Sequence, residues 1–80
     1  MLIHVATPVV DSQALIQATF TRQTSKGHQH YMAVVTYKTI LLHTESVEFM
    51  EGVQSVEWSI PAEEVGLMNG GIVSINLYDT

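Results

Sequence analysis

Two alternating runs near the end of the chain, Val56-Glu-Trp-Ser-Ile60 and Val73-Ser-Ile-Asn-Leu77, constrain the fold more than any other feature of the sequence. Successive side chains of a strand point to opposite faces, so Val56, Trp58 and Ile60 share one side and Glu57 and Ser59 the other. Val73, Ile75 and Leu77 likewise face a core, and Ser74 and Asn76 face away. Between the runs, Pro61 suits the first position of a short helical turn near 61–68. Glu63 and Glu64 suit its positive end, and Val65 and Met68 share a face. Asn69-Gly70-Gly71 supplies the left-handed residues that stop the turn. This strand–turn–strand unit makes the protein β-rich.

The residues upstream extend that pattern. Residues 1–10 read as a first strand, with Ile3, Val5 and Val9 on one parity. Pro8 cannot donate to a ladder, so this strand lies at an edge or ends near Thr7. Asp11-Ser12 turns the chain. Residues 14–24 admit a short helix capped by Asp11 or Ser12, or a strand with Ile16, Ala18 and Phe20 inward. Thr19, Phe20 and Thr21 fit a pleated surface and favour the strand. Ser25-Lys26-Gly27 reads as a hairpin turn, with Gly27 at positive φ. From His30 to His43, Tyr31, Ala33, Val35 and Tyr37 lie on one face and Met32 and Val34 on the other, which predicts a central strand covered on both sides. Lys38-Thr39 marks a bend before Ile40. Val47 and Phe49 predict a further short strand, and Met50-Glu51-Gly52 a turn. Short strands separated by turns predict an all-β fold over 1–80, a small antiparallel β-sandwich or barrel forming a single domain.

Composition sets what such a domain needs. At 80 residues the chain buries only about 60–65% of its unfolded surface, so its core must be well packed or helped by association. It has no cysteine, hence no disulfide and no thiolate ligand for zinc. Hydrophobic residues make up 46% and charged residues only 14%, a balance that favours hiding apolar surface against a partner. The net charge of −5 argues against nucleic acid as that partner, because phosphate contacts need clustered Lys and Arg. No long apolar segment or basic leader predicts a membrane span or signal peptide, so a soluble cytoplasmic product is expected. The charges are also segregated. Arg22, Lys26 and Lys38 are the whole basic complement, and residues 39–80 carry seven acids without a Lys or Arg. A solvated acidic surface accounts for this. So does a polar molecule whose basic segment meets the acidic half of a neighbour, a pattern that orients association.

Chemical motifs are sparse. His28-Gln-His30 places two imidazoles on one side of a strand, but two ligands do not complete a metal site, and a third must come from elsewhere, such as His4 or His43. No nucleophile elbow or other catalytic signature is present, and Asn69-Gly-Gly lacks the Lys-Ser/Thr of a phosphate loop. Glu63-Glu64 reads as a pair of dipole partners at a helical start. Trp58 reads as core, and Tyr31, Tyr37 and Tyr78 as core residues or interface anchors. No enzyme activity, metal or cofactor is expected.

The segment Ser55-Val-Glu-Trp-Ser-Ile-Pro-Ala-Glu-Glu-Val-Gly-Leu-Met-Asn-Gly-Gly-Ile-Val-Ser-Ile-Asn-Leu-Tyr-Asp resembles the closing half of small immunoglobulin-like or jelly-roll-like modules of tailed-phage virions. Those modules end with an alternating strand, a short acidic turn, a glycine and a last strand finishing near an Asp. The resemblance implies a non-enzymatic virion part made in the host cytoplasm: a capsid decoration protein, a head–tail adaptor or a tail-associated module. Its partners would be other virion proteins or copies of itself. The residues expected at such interfaces are Ile3 and Val5 of segment 1–10, Tyr78 of the last strand, basic Arg22, Lys26 and Lys38, and acidic Glu57, Glu63 and Glu64. The competing expectation is a small acidic cytoplasmic protein that binds and inhibits a host protein through its acidic half, by mimicry of nucleic-acid charge among other routes.

Overall fold

The computed structural model describes residues 2–6, 9–10, 15–66 and 71–79, with side chains described from residue 15 on. It is built from strands β1 (Leu2–Ala6), β2 (Val9–Val10), β3 (Leu15–Thr21), β4 (Gln29–Tyr37), β5 (Ile40–Phe49), β6 (Ser55–Pro61), β7 (Gly71–Ile72) and β8 (Ser74–Asp79). A 3-10 turn, Ala62–Val65, follows β6. All pairing is antiparallel and nested: β1 with β8, β2 with β7, β3 with β6, β4 with β5. Nested pairing is the scheme of a rolled ribbon, in the manner of a jelly roll. A further ladder joins β4 to β8, giving a four-stranded sheet β1-β8-β4-β5 beside the β3-β6 ribbon.

Parity explains which faces meet. Ile16 and Phe20 of β3 and Trp58 and Ile60 of β6 are buried on one side. Tyr31, Ala33 and Val35 of β4, Val47 and Phe49 of β5, and Ile75 and Leu77 of β8 are buried on the other. Together with Ala62, Val65 and Val73 they form one cluster between the layers. Phe20 meets Trp58 at 6.0 Å between ring centroids, and Tyr31 meets Phe49 edge-on at 5.5 Å, within the range that aromatic pairs prefer. The inward residues expected of residues 14–24 and of the two C-terminal runs are therefore those observed, with Ala18 and Val56 half-buried.

Several local expectations are corrected. Ser25-Lys26-Gly27 is not a hairpin turn: β3 pairs with β6, and residues 22–28 cross from one layer to the other. Gly27 does take positive φ, but the backbone–backbone hydrogen bonds of this loop join it to residues 50–54. The run from His30 to His43 is a hairpin. Lys38-Thr39 is its two-residue loop, with Lys38 at φ 57°, and Val47 and Phe49 belong to the same ten-residue β5 as Ile40. β4 is central as expected, but Met32 and Val34 on its second face stay half-exposed. The helical turn is shorter than 61–68. Pro61 still belongs to β6, and Gly66 ends the turn in the left-handed region at φ 79°, where its N–H reaches Glu63 O. Met68, Asn69 and Gly70 lie outside the described residues. The chain takes up again at Gly71, whose φ of 143° and close approach to Tyr37 require glycine; a Cβ there would stand 3.2 Å from Tyr37 Cε1. Finally, β1 is an edge strand as expected, whereas β8 has ladders on both sides and offers no free edge.

The two crossing loops are held by Arg22. Its side chain is buried and lies with its guanidinium carbon 5.1 Å from the Phe49 ring centroid. Nε donates to Val53 O at 2.9 Å and Nη2 to Met50 O at 3.1 Å. The backbone continues the clasp: Arg22 N–H donates to Gln54 O, Gln54 Nε2 to Arg22 O, and Gly52 N–H to Ser25 O. Charge-assisted bonds contribute about 1.5–3 kcal/mol each. We expect Arg22→Ala to lower the unfolding free energy by about 3 kcal/mol, a large part of the roughly 4–12 kcal/mol an 80-residue chain carries. Arg22→Lys should recover at most half, because a single ammonium cannot reproduce the planar fork. Urea unfolding measures both; a loss below about 0.5 kcal/mol for Arg22→Ala would contradict the assignment.

Candidate functional site

The β4–β5 hairpin carries candidate surfaces at both ends of its length. At the loop end, Lys38 extends over the Tyr37 ring, its Nζ 5.5 Å from the centroid. Ile40, directly opposite Tyr37 in the ladder, is 58% exposed, and the next residue, Leu41, is 61% exposed. β7 reaches the same place, since Gly71 abuts Tyr37, and its Ile72 is 57% exposed. Three large aliphatic side chains thus stand in water near this end of the hairpin, with Ile40 on the Tyr37 side of the ladder and Leu41 on the other. β5 is also a sheet edge, so its outer backbone groups are open to pairing among the described residues.

At the opposite end of the hairpin, His30 and Glu48 are cross-strand partners. Glu48 Oε2 lies 2.7 Å from His28 Nε2 and 3.0 Å from His30 Nε2. The two rings are 4.8 Å apart between centroids, tilted by 52°. All three side chains are substantially exposed. The hydrogen bond from His28 is the main cause that holds the Glu48 carboxyl below its ordinary value; desolvation opposes it, and the charges of both imidazoles and the His30 hydrogen bond add to it. The third partner of the histidine pair is therefore Glu48. His43 instead bonds Glu45 at 2.9 Å, and the His4 side chain lies outside the described residues.

Glu45 has a role that sequence reading missed. It lies half-buried on the inner side of β5 and accepts a 2.9 Å bond from Trp58 Nε1 across the layers. One of the seven acids of the C-terminal half thus bonds a core side chain from the margin of the fold. Trp58 is core, as expected, with its indole N–H satisfied.

The expected interface residues are scattered. Arg22 is corrected outright: at 4% exposure, with its donors turned onto loop carbonyls, it cannot meet a partner. Lys26 is exposed in the crossing loop, and Lys38 is exposed at the hairpin tip. Glu57 on the outer side of β6, and Glu63 and Glu64 on the 3-10 turn, are exposed without an ion pair among the described residues. Tyr78 is 41% exposed and stands opposite Met32, on the outer face of the four-stranded sheet. Val5 is paired with Asn76 in the ladder, and Ile3 falls within the register shift between Leu2 and His4; their side chains lie outside the described residues. A shallow open hollow of about 520 Å³ lies over Gln17, Ala18, Thr19, Glu57, Trp58 and Ser59. Glu57 is the one ionisable group in that lining, so no acid–base pair converges there. Among the described residues no helix is long and apolar enough to cross a membrane.

Comparison with protein-family models, with curated proteins and with solved structures found no match.

The His28–Glu48 contact gives a pH prediction. The folded-state value of Glu48 lies below the ordinary 4.5, so the contact's contribution is complete above 4.5 and is lost as pH falls through the lowered value. Carbon-detected NMR titration should place the Glu48 midpoint below 4.5 and return it toward that value in His28→Ala. An unchanged midpoint in the variant would contradict the assigned cause.

Proposed function

We propose that this chain is a non-enzymatic structural module that works by assembling with copies of itself, in a tailed-phage particle as the resemblance of its C-terminal segment implies. One observation carries the reading: Ile40, Leu41 and Ile72 stand exposed around the β4–β5 loop, next to the free edge of β5. Burying the exposed part of each such side chain contributes about 1–2 kcal/mol, a share of what association of a small domain requires. The free surface is 4964 Å², and a stable interface takes roughly 800 Å² per partner, about a sixth of it. Three side chains at a tip do not reach that area, so the contact extends along the edge of β5.

Charge supplies the orientation. Lys38 sits within the apolar tip, and Glu57, Glu63 and Glu64 are exposed on β6 and the turn after it. Tip against acidic flank is a contact between unlike surfaces, which closes into a ring or continues as a filament. Sedimentation velocity should find the wild-type chain oligomeric and Ile40→Glu/Leu41→Glu monomeric, with a cooperative thermal transition retained at a lower midpoint. A monomeric wild type would overturn the assembly. Stoichiometric copurification with intact particles tests the setting.

Exposed Glu57, Glu63 and Glu64, without an ion pair among the described residues, favour a second reading, an acidic inhibitor of a host protein. Changing all three to Gln should abolish capture of a host target if that reading holds. If the structural reading holds, the triple change should weaken self-association and incorporation into particles, and no host target should be captured by the wild-type chain.

A further inference from the structure

We infer that His28, His30 and Glu48 form a surface site for a divalent first-row transition metal of the zinc, nickel and copper class. The backbone fixes the three positions. His30 and Glu48 face each other across the β4–β5 ladder, and His28 precedes His30 by two residues, the spacing that returns a side chain to the same face of an extended chain. The loop before them is tied down, since Gly27 N–H donates to the Glu51 carboxylate and Gly52 N–H to Ser25 O. Little ordering therefore remains for a metal to impose.

The distances fit. The three donor atoms lie within 4.8 Å of one another, with the carboxylate oxygen 2.7 and 3.0 Å from the two nitrogens. Bonds of about 2.0–2.1 Å in tetrahedral geometry set ligand atoms roughly 3.3 Å apart. Side-chain rotation of well under 2 Å brings the triad there without moving either strand. Two imidazoles and one carboxylate select borderline cations; calcium and magnesium prefer sites built of oxygen alone. With the three side chains 42–58% exposed, the remaining coordination positions face solvent and would hold water or a donor from another molecule. His43, engaged with Glu45 elsewhere on β5, takes no part.

Calorimetric titration of the full chain with zinc chloride, and separately with nickel chloride, tests the site. One ion per chain is expected, with affinity reduced on the order of tenfold or more in each of His28→Ala, His30→Ala and Glu48→Gln, and unchanged in His43→Ala. Zinc should also shift the ring nitrogens of His28 and His30 in imidazole NMR spectra, leaving those of His43 in place. Equal affinity of Glu48→Gln and wild type would reduce the site to two exposed histidines and overturn the proposal, as would absence of binding. The three changes sit on exposed side chains, and the thermal transition of each variant confirms that a lost signal is not lost fold.

Discussion

The guanidinium of Arg22 has been taken out of water with no carboxylate among the described residues to meet it, and the arrangement of the two layers depends on how that charge is held. Removing a cation from water costs several kcal/mol after relaxation. The cost is offset by two backbone carbonyls, by the face of Phe49 and by burial of the aliphatic stem. Nη1 has no partner among the described residues, so the charge is not satisfied to the limit. The side chain acts through geometry. Its two acceptors, Met50 and Val53, belong to the chain leaving the four-stranded sheet, and Arg22 itself to the chain entering it. A planar fork spanning both fixes where each layer begins relative to the other.

From that clasp the hairpin extends away. His30 lies near the crossing loops, and Lys38 lies eight residues further on, just past the end of β4, roughly 25 Å at the rise of a strand. The end beside the clasp is tied by hydrogen bonds and carries the histidine–glutamate cluster. The distant end is not covered by the second layer and exposes Ile40 and Leu41. Position along one hairpin thus separates a preorganised polar site from an apolar surface. The nested ribbon explains the rest of the geography: β8 enters between β1 and β4, which leaves β1 and β5 as the edges of the larger sheet.

Much of the fold was legible in the sequence because parity, propensity and turn chemistry agree in β3, β6 and β8, where every expected inward residue lies in or against the core. The hairpin was less legible, for a physical reason. Lys38-Thr39 lacks the glycine that usually marks a two-residue loop, so Tyr37 and Ile40 read as one bent strand. Counting pairs back from that loop would set outward His30 against inward Val47. The bulge between Val35 and Thr36 shifts the register by one and restores His30 to Glu48 and Tyr31 to Val47. The mismatch of parity was a usable signal for both the bulge and the third member of the cluster. Arg22 carried no such signal. Arginine is seldom buried, and its acceptors lie 28 and 31 residues away on a loop whose place depends on the whole topology. The charge pattern read from the sequence is altered likewise, since Glu45 bonds Trp58 and Arg22 the loops, leaving Lys26 and Lys38 as exposed bases and Glu57, Glu63 and Glu64 among the exposed acids.

Native-state hydrogen exchange at the amides of Arg22, Gly52 and Val53 tests the clasp most directly, because each donates within or between the crossing loops. If Arg22 fixes the layers, these loop amides exchange only through global unfolding, as slowly as the amides of β4 and β8, and Arg22→Met frees them selectively. Exchange at the rate of exposed loops in the wild-type chain, with β4 and β8 still protected, would contradict the account.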